Sequence, residues 1–338
     1  MATLSDVAEL AGVSISAVSR VLSNAPSARV SAETRQRIHD AARELDYRPN
    51  FAARALKFSR TNVVALVVPD LTNAIFTELM RGVEEEAHAN GYMVLLARAE
   101  GMPPGEESIP RLIGEGRVDG VLVQVGDNMR PEDLTTLLGG RVPAVLINST
   151  HRGHVGSVAL EDERAARIAV EHLVGLGHTR IGLLNGIPHT DTAVRRGIGF
   201  RAAMEDAGLA IDDDLVTTLG YEPRQGREAL RELAALPERP TAVVVANVNA
   251  ALGALLEARV LGIRVPEDLS IVAIHDAWTA ETTWPPLTTV RMPLYELGRH
   301  AMKAIFERIT EGKVEDVVVT DPPPELIIRG STASPRSV

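Results

Sequence analysis

The stretch Ser5-Asp-Val-Ala-Glu-Leu-Ala-Gly-Val-Ser-Ile-Ser-Ala-Val-Ser-Arg-Val-Leu22 decides how the chain begins to fold. Val7, Leu10 and Ala11 stand at i, i+3 and i+4, one face of a short helix. Ser5 and Asp6 can cap its start, and Gly12 can close it in the left-handed conformation that glycine reaches cheaply. Ser14 opens a second helix whose inward face is Val18, Val21 and Leu22. Two short helices across a tight glycine turn form the helix-turn-helix pattern. A third helix is expected from Ser31, with Ile38, Ala41, Ala42 and Leu45 on one face and Tyr47 and Pro49 ending it.

The second helix has an outer face of Ile15, Ser16, Ser19 and Arg20. In this motif the N-terminal part of that helix enters the DNA major groove. Arginine can bind guanine bidentately there, and Ile15 offers an apolar contact to a thymine methyl. The hydroxyls of Ser5, Ser19 and Ser31, with the helix N-termini, suit phosphate oxygens. A plain helical bundle with solvated faces is the alternative, but serine is a poor generic helix-surface residue because it competes with its own backbone. Charge agrees with DNA. Residues 1–60 hold nine Lys/Arg and six Asp/Glu, net +3, whereas the whole chain is −10, so the remainder carries −13. A basic head on an acidic body confines phosphate attraction to one end.

The order Asp-Val-Ala-x-x-Ala-Gly-Val-Ser, Val-Ser-Arg-Val-Leu, Val-Ser-x-x-Thr-Arg and Tyr-x-Pro-Asn, spread over residues 6–50, resembles the LacI/GalR family of bacterial transcription repressors. The resemblance continues through the whole chain. It implies that Ser5, Ser14, Ile15, Ser16, Ser19, Arg20, Asn24, Ser31, Tyr47, Asn50, Ala53, Leu56 and Lys57 face DNA. The segment Phe51–Lys57 is too short for a stable isolated helix. In the family it is a hinge helix that pairs in the dimer, with a leucine wedged into the minor groove; the matching residue is Leu56.

With 338 residues there is room for the head and two mid-sized domains. The absence of cysteine excludes disulfides, thiolate metal sites and a cysteine nucleophile. The start of the chain shows no secretory pattern, and no apolar run approaches the ~18 residues of a membrane span, so a cytoplasmic location is expected. From Val63 onward, short apolar runs (Val63–Val68, Tyr92–Ala97, Gly120–Val125, Ala144–Asn148, Ile181–Asn185, Ala242–Ala246, Ile271–Ile274) alternate with helical stretches near 73–89, 106–115, 131–138, 161–176, 191–207, 223–236 and 247–261. That alternation predicts parallel sheets covered by helices on both faces, with ligand beyond the strand C-termini. The expected architecture is an N-terminal all-α helix-turn-helix head plus an α/β periplasmic-binding-protein-like core of two doubly wound parallel-sheet subdomains. The expected domains are 1–48 for the head, 49–61 for the hinge helix and linker, and 62–338 for the effector-binding and dimerisation core. The resemblance implies three chain crossings, with one lobe at about 62–160 plus 291–322 and the other at about 161–290 plus 323–330.

Polar residues near strand ends are the effector candidates, Asp70, Asn73, Gln124, Asn148, Arg196, Asn247 and His275, with Phe76 and Tyr221, which the resemblance implies pack on the ligand, and Trp278, a rare aromatic flanking the region. The family places sugar-binding groups at such positions, Arg196 and Asn247 matching two of them. Strand-end Asn and Asp also serve simply to cap the next helix. The chain departs from the family at three places. The usual first Asp of a pair is His275, ahead of Asp276; an Asn-Asp is Asn247-Val248; and a frequent Asp is Asn148. Carboxylates accept hydroxyl hydrogen bonds better than Asn or His. A neutral sugar therefore competes with an anionic metabolite facing His275 and Arg196.

Signals for catalysis are weak. Gly197-Ile-Gly-Phe-Arg-Ala202 fits a dinucleotide-loop pattern but lies inside a helical stretch. His151, His154, His172 and His178 lack companions at metal-ligand spacing. No catalytic residue, metal or cofactor is expected. The reading is a transcriptional repressor, not an enzyme, that binds a pseudo-palindromic double-stranded operator as a homodimer and is switched by a small-molecule effector, a carbohydrate or sugar derivative, with no membrane association. The alternatives are a corepressor-type regulator answering an anionic or nucleotide-like metabolite and, outside the class, a small-molecule binding protein that does not bind DNA. The C-terminal Ser331–Val338 carries no apolar heptads, so a tetramerising coiled coil is not expected.

Overall fold

The computed structural model describes residues 2–22, 30–48, 55, 60–71, 73–98, 115–124, 142–149 and 155–336. It divides into two compact units, Met1–Thr61 and Asn62–Val338.

The first unit contains α1 (Leu4–Ala11), α2 (Ile15–Leu22) and α3 (Ala32–Glu44). Its core is Val7, Ala8, Ala11, Val18, Val21, Ile38, Ala41 and Ala42. Leu10 is not in it; the side chain is 48% exposed and Ala8 takes the inward place. Both residues fit the spacing around Val7 and Ala11, and the close approach of three short helices selects the smaller one. The start of α1 is likewise shifted. Thr3 is the N-cap, and its side chain and that of Asp6 form a reciprocal capping box, so Ser5 lies inside the helix. Gly12 ends α1 at φ 64°. Ser14 Oγ accepts the Ala17 amide at 3.3 Å, and Ser31 caps α3 through the Thr34 amide at 3.1 Å.

The second unit holds two six-stranded sheets. Its strands are β1 (Val63–Val68), β2 (Met93–Arg98), β3 (Gly120–Gln124), β4 (Ala144–Ile147), β5 (Gly156–Leu160), β6 (Ile181–Leu184), β7 (Val216–Thr217), β8 (Ala242–Val245), β9 (Ser270–Ile274), β10 (Thr288–Arg291), β11 (Asp316–Val319) and β12 (Glu325–Ile327). The helices are α4 (Phe76–Ala89), α5 (Asp162–Gly175), α6 (Asp191–Asp206), α7 (Pro223–Ala234), α8 (Val248–Val260), α9 (Trp278–Glu281) and α10 (Leu294–Glu311). The first sheet runs β11-β5-β4-β3-β1-β2, all parallel. The second runs β12-β10-β9-β8-β6-β7, parallel except for β12. Strands β4, β5, β6, β8 and β9 are buried along their whole length, as sheets covered on both faces require.

The chain passes between the sheets three times. It leaves β5 for α5, which packs on β8, β9, β10 and β12. It leaves β10 for α10, which packs on β3, β4, β5 and α4. From β11 it returns to β12. Helices α4 and α10 meet through glycines: a Cβ on Gly82 would run into the Tyr295 carbonyl, and one on Gly298 into the Leu79 carbonyl. Strand β5, helix α10 and strands β10–β12 were absent from the apolar runs read in the sequence. The helical stretches near 106–115 and 131–138 lie, apart from residue 115, outside the described residues.

The closing segment is sewn into the second sheet. His178 Nδ1 bonds Thr241 Oγ1 at 2.8 Å, while its Nε2 lies 3.1 Å from Ser270 Oγ and 2.9 Å from the Ala333 carbonyl. His172 Nε2 meets Thr332 Oγ1 at 3.0 Å, and Ser331 Oγ donates to the Ile271 carbonyl at 2.6 Å. Both histidines are therefore structural, and burial lowers the pKa of each.

Candidate functional site

In the head, α2 presents Ile15, Ser16, Ser19 and Arg20 away from the helical core. Ile15 is 51% exposed, an unusual position for isoleucine unless something covers it. The Arg20 side chain lies back along its own helix, Nε donating to the Ser16 carbonyl at 3.1 Å and a terminal nitrogen to Ser16 Oγ at 3.4 Å. Ser5 and Ser31 are exposed, and half-buried Tyr47 packs on the head core. Asn24, Asn50, Ala53, Leu56 and Lys57 lie outside the described residues.

In the core, the carboxyl ends of the parallel strands converge on a buried polar cluster. Asp162, fully buried at the first turn of α5, accepts from two consecutive arginines of α6. Arg196 donates to its Oδ1 from Nε at 2.8 Å, and Arg195 to its Oδ2 from a terminal nitrogen at 2.7 Å. Burial alone would raise the Asp162 pKa, but the two guanidiniums hold it below its ordinary value. The cluster extends in two directions. Arg195 donates to Asn148 Oδ1 at 3.0 Å, reaching from α6 to the end of β4 in the other sheet. Arg196 donates to the Ala246 carbonyl at 2.6 Å and lies 2.8 Å from His275 Nε2.

His275 is 2% exposed and stands at φ 67°, a left-handed conformation that is costly outside glycine. A guanidinium can only donate, so Nε2 must accept, and the ring is neutral with its proton on Nδ1. Burial, with the neighbouring Arg196 charge, pushes the His275 pKa down to about 3 against the opposing pull of Asp162. Nδ1 is buried and has no hydrogen-bond partner among the described residues. Asn148, just after β4, stands at φ 52°, and its Oδ1 also accepts the Leu160 amide at 3.2 Å.

The remaining candidates divide. Asn247, two residues beyond β8, caps α8, its Oδ1 accepting the Ala250 amide at 2.8 Å. The Tyr221 ring lies 5.9 Å from the Arg196 guanidinium, with its hydroxyl 2.7 Å from Thr192 Oγ1. Asp70 and Gln124 are half-buried near the ends of β1 and β3, and Asn73 Oδ1 accepts the Ile75 amide at 3.2 Å. Phe76 is buried in the lobe core, and Trp278 is 68% exposed at the start of α9. Arg196 is bound at all three nitrogens by the protein itself. Sequence reasoning missed Asp162, which looks like an ordinary first-turn acid of a helix. The glycine pattern in α6 has a packing cause: a Cβ on Gly199 would strike the Glu163 carbonyl of α5. Asp276 is held by Arg329 at 2.8 Å, Thr289 at 2.8 Å and Arg291 at 3.2 Å. Among the described residues no helix is long and apolar enough to cross a membrane, and no group of three His, Cys, Asp or Glu could hold a metal ion.

Two family models match the chain: bacterial regulatory proteins of the lacI family over residues 3–50, and a periplasmic binding protein-like domain over residues 170–332. The HTH-type transcriptional regulator DegA of Bacillus subtilis (strain 168) is 36% identical, with 98% of each chain covered. The HTH-type transcriptional repressor PurR of Haemophilus influenzae (strain PittEE) is 33% identical, with 99% of each covered. Among solved structures, a LacI family transcriptional regulator from Mycobacterium smegmatis is 45% identical at TM-score 0.78, covering 81% of this chain and all of its own. A transcriptional regulator CelR–cellobiose complex is 30% identical at TM-score 0.71, covering 98% and 100%. The lac repressor dimer bound to operator and the anti-inducer ONPF is 26% identical at TM-score 0.82, covering 98% and 99%. With the helix-turn-helix head and the two-sheet core both in place, the chain belongs to the LacI family and is a DNA-binding transcriptional repressor.

Proposed function

We propose that this repressor binds a pseudo-palindromic operator as a homodimer and is switched by an uncharged carbohydrate or sugar derivative held between the two sheets of the core. The observation that carries the reading is the buried polar cluster at the strand ends, which joins His275 and Arg196 on one side to Asn148 on the other. Ligands of doubly wound sheets bind at that end of the strands. The similar lac repressor structure is a dimer on its operator, and the similar CelR structure holds cellobiose. An anionic effector has less support, because His275 is neutral and Arg196 is tied to Asp162. In this reading Ile15, Ser16 and Arg20 contact bases, and the segment around Leu56 links head to core.

The test is DNA retardation by the full chain on an operator selected from random duplex DNA, with and without cellobiose or ribose. Specific retardation lost on deleting residues 1–60, and a sugar-dependent change in affinity, support the proposal. Sequence-independent binding refutes the operator role. An affinity changed only by sugar phosphates or uronic acids refutes the uncharged effector.

A further inference from the structure

Among the described residues His275 Nδ1, at the end of β9, is a buried polar atom without a partner. Both Asp162 oxygens are taken by arginines. Asn247 Oδ1 is taken by the Ala250 amide, Asn148 Oδ1 by Leu160 and Arg195, and the Ala246 carbonyl by Arg196. What remains on His275 is the Nδ1–H, because its Nε2 accepts from Arg196 at 2.8 Å. A vicinal diol placed here would bring two protons toward an Asp162 carboxylate that already accepts from two arginines. A carbonyl, a ring or glycosidic oxygen, or a ring nitrogen would bring the lone pair that this donor needs. A buried donor left without an acceptor is costly, so the match selects strongly.

Resting on the effector reading above, we infer that His275 is the specificity-determining residue of the cleft: its Nδ1–H donates to an uncharged acceptor of the effector, and Arg196 positions the ring without touching the ligand. This reverses the polarity expected at that strand end, where an aspartate would accept from hydroxyl groups.

Two measurements on the full chain test it. The first needs no ligand: nitrogen NMR of the histidine rings. A neutral His275 protonated on Nδ1, unchanged from pH 8 to pH 5, is the expected result; an Nε2–H tautomer, or an imidazolium at pH 6, overturns the inference. The second compares glucose and cellobiose with their δ-lactones by calorimetry. Each lactone replaces a hydroxyl-bearing carbon by an acceptor. Wild type should prefer the lactone by roughly 5- to 150-fold, the equivalent of one satisfied buried donor. His275→Ala should lose that preference, and His275→Asp should reverse it while the circular dichroism stays native. Equal preference in wild type and His275→Ala overturns the inference while leaving the carbohydrate effector intact. No binding by any member of the panel refutes the carbohydrate reading and not the donor at His275, which the nitrogen spectrum then decides.

Discussion

Replacing Asp162 by asparagine keeps the shape of the side chain and removes its charge. In the native site the carboxylate meets Arg196 at 2.7 Å and Arg195 at 2.7 Å, with no solvent exposure of its own. Arg196 is equally cut off, at 2% exposed. An amide can accept from one guanidinium, but its NH2 then faces the other, donor against donor. One buried cation loses its counter-charge, and the neutral His275 beside it offers none. Removing one partner of a buried pair costs about 3–5 kcal/mol, because the remaining charge stays desolvated. At about 2 °C per kcal/mol for a unit of this size, the thermal midpoint of the core should fall by roughly 6–10 °C. Differential scanning calorimetry of the full chain measures it, with Glu315→Gln at the exposed Lys313 pair as a control that leaves the midpoint in place. A loss of about 1 kcal/mol or less would mean that Asp162 does not hold these arginines in solution.

Acid should weaken the core below about pH 6.5. His172, His178 and His275 all have folded pKa values lowered by burial from an ordinary 6.5, so unfolding takes up protons. Stability from these groups is fully present above about pH 6.5 and falls as pH drops below it; His275 alone contributes a loss of about 2 kcal/mol by pH 5. A thermal midpoint that is flat from pH 8 to pH 5 contradicts this. Arg20→Ala should weaken specific operator binding by about 1–3 kcal/mol per contact with guanine while leaving binding to random DNA nearly unchanged, as titrations against both will show. Gly298→Ala forces α10 off the Leu79 carbonyl of α4 and should cost about 1–3 kcal/mol in urea unfolding; an unchanged midpoint would mean that the helices separate easily.

The head was legible because its signals are local. Gly12, Ser14, Val18 and Val21 each do what their position in the sequence says. The error at Leu10 arose because the i, i+3, i+4 pattern admits Ala8 as well, and only the tertiary packing of three helices decides. The alternation of strands and helices marked the two-sheet core, but Gly156-Ser-Val-Ala-Leu160 was too mixed to stand out, and α10 carries polar residues through much of its length. The site was legible as a set of strand ends and not as a network. Asn148 and His275 are 127 positions apart in the chain and belong to different sheets, and their connection passes through Asp162 and two arginines, whose pairing no local pattern encodes. The alternative of an anionic metabolite facing His275 and Arg196 came from residue type alone, which does not show that Arg196 is paired with Asp162.

The bond from Arg195 to Asn148 ties α6 of one sheet to β4 of the other, close to where the chain first passes between them. Any swing of one lobe against the other must stretch that bond or carry it along. A hydrogen bond to a charged group contributes about 1.5–3 kcal/mol, and breaking it in one arrangement alone would tilt the balance between arrangements by roughly 10- to 150-fold. Exchanging the amide at position 148 should therefore shift the balance between arrangements of the two sheets, together with the polar lining that Asn148 contributes at the end of β4.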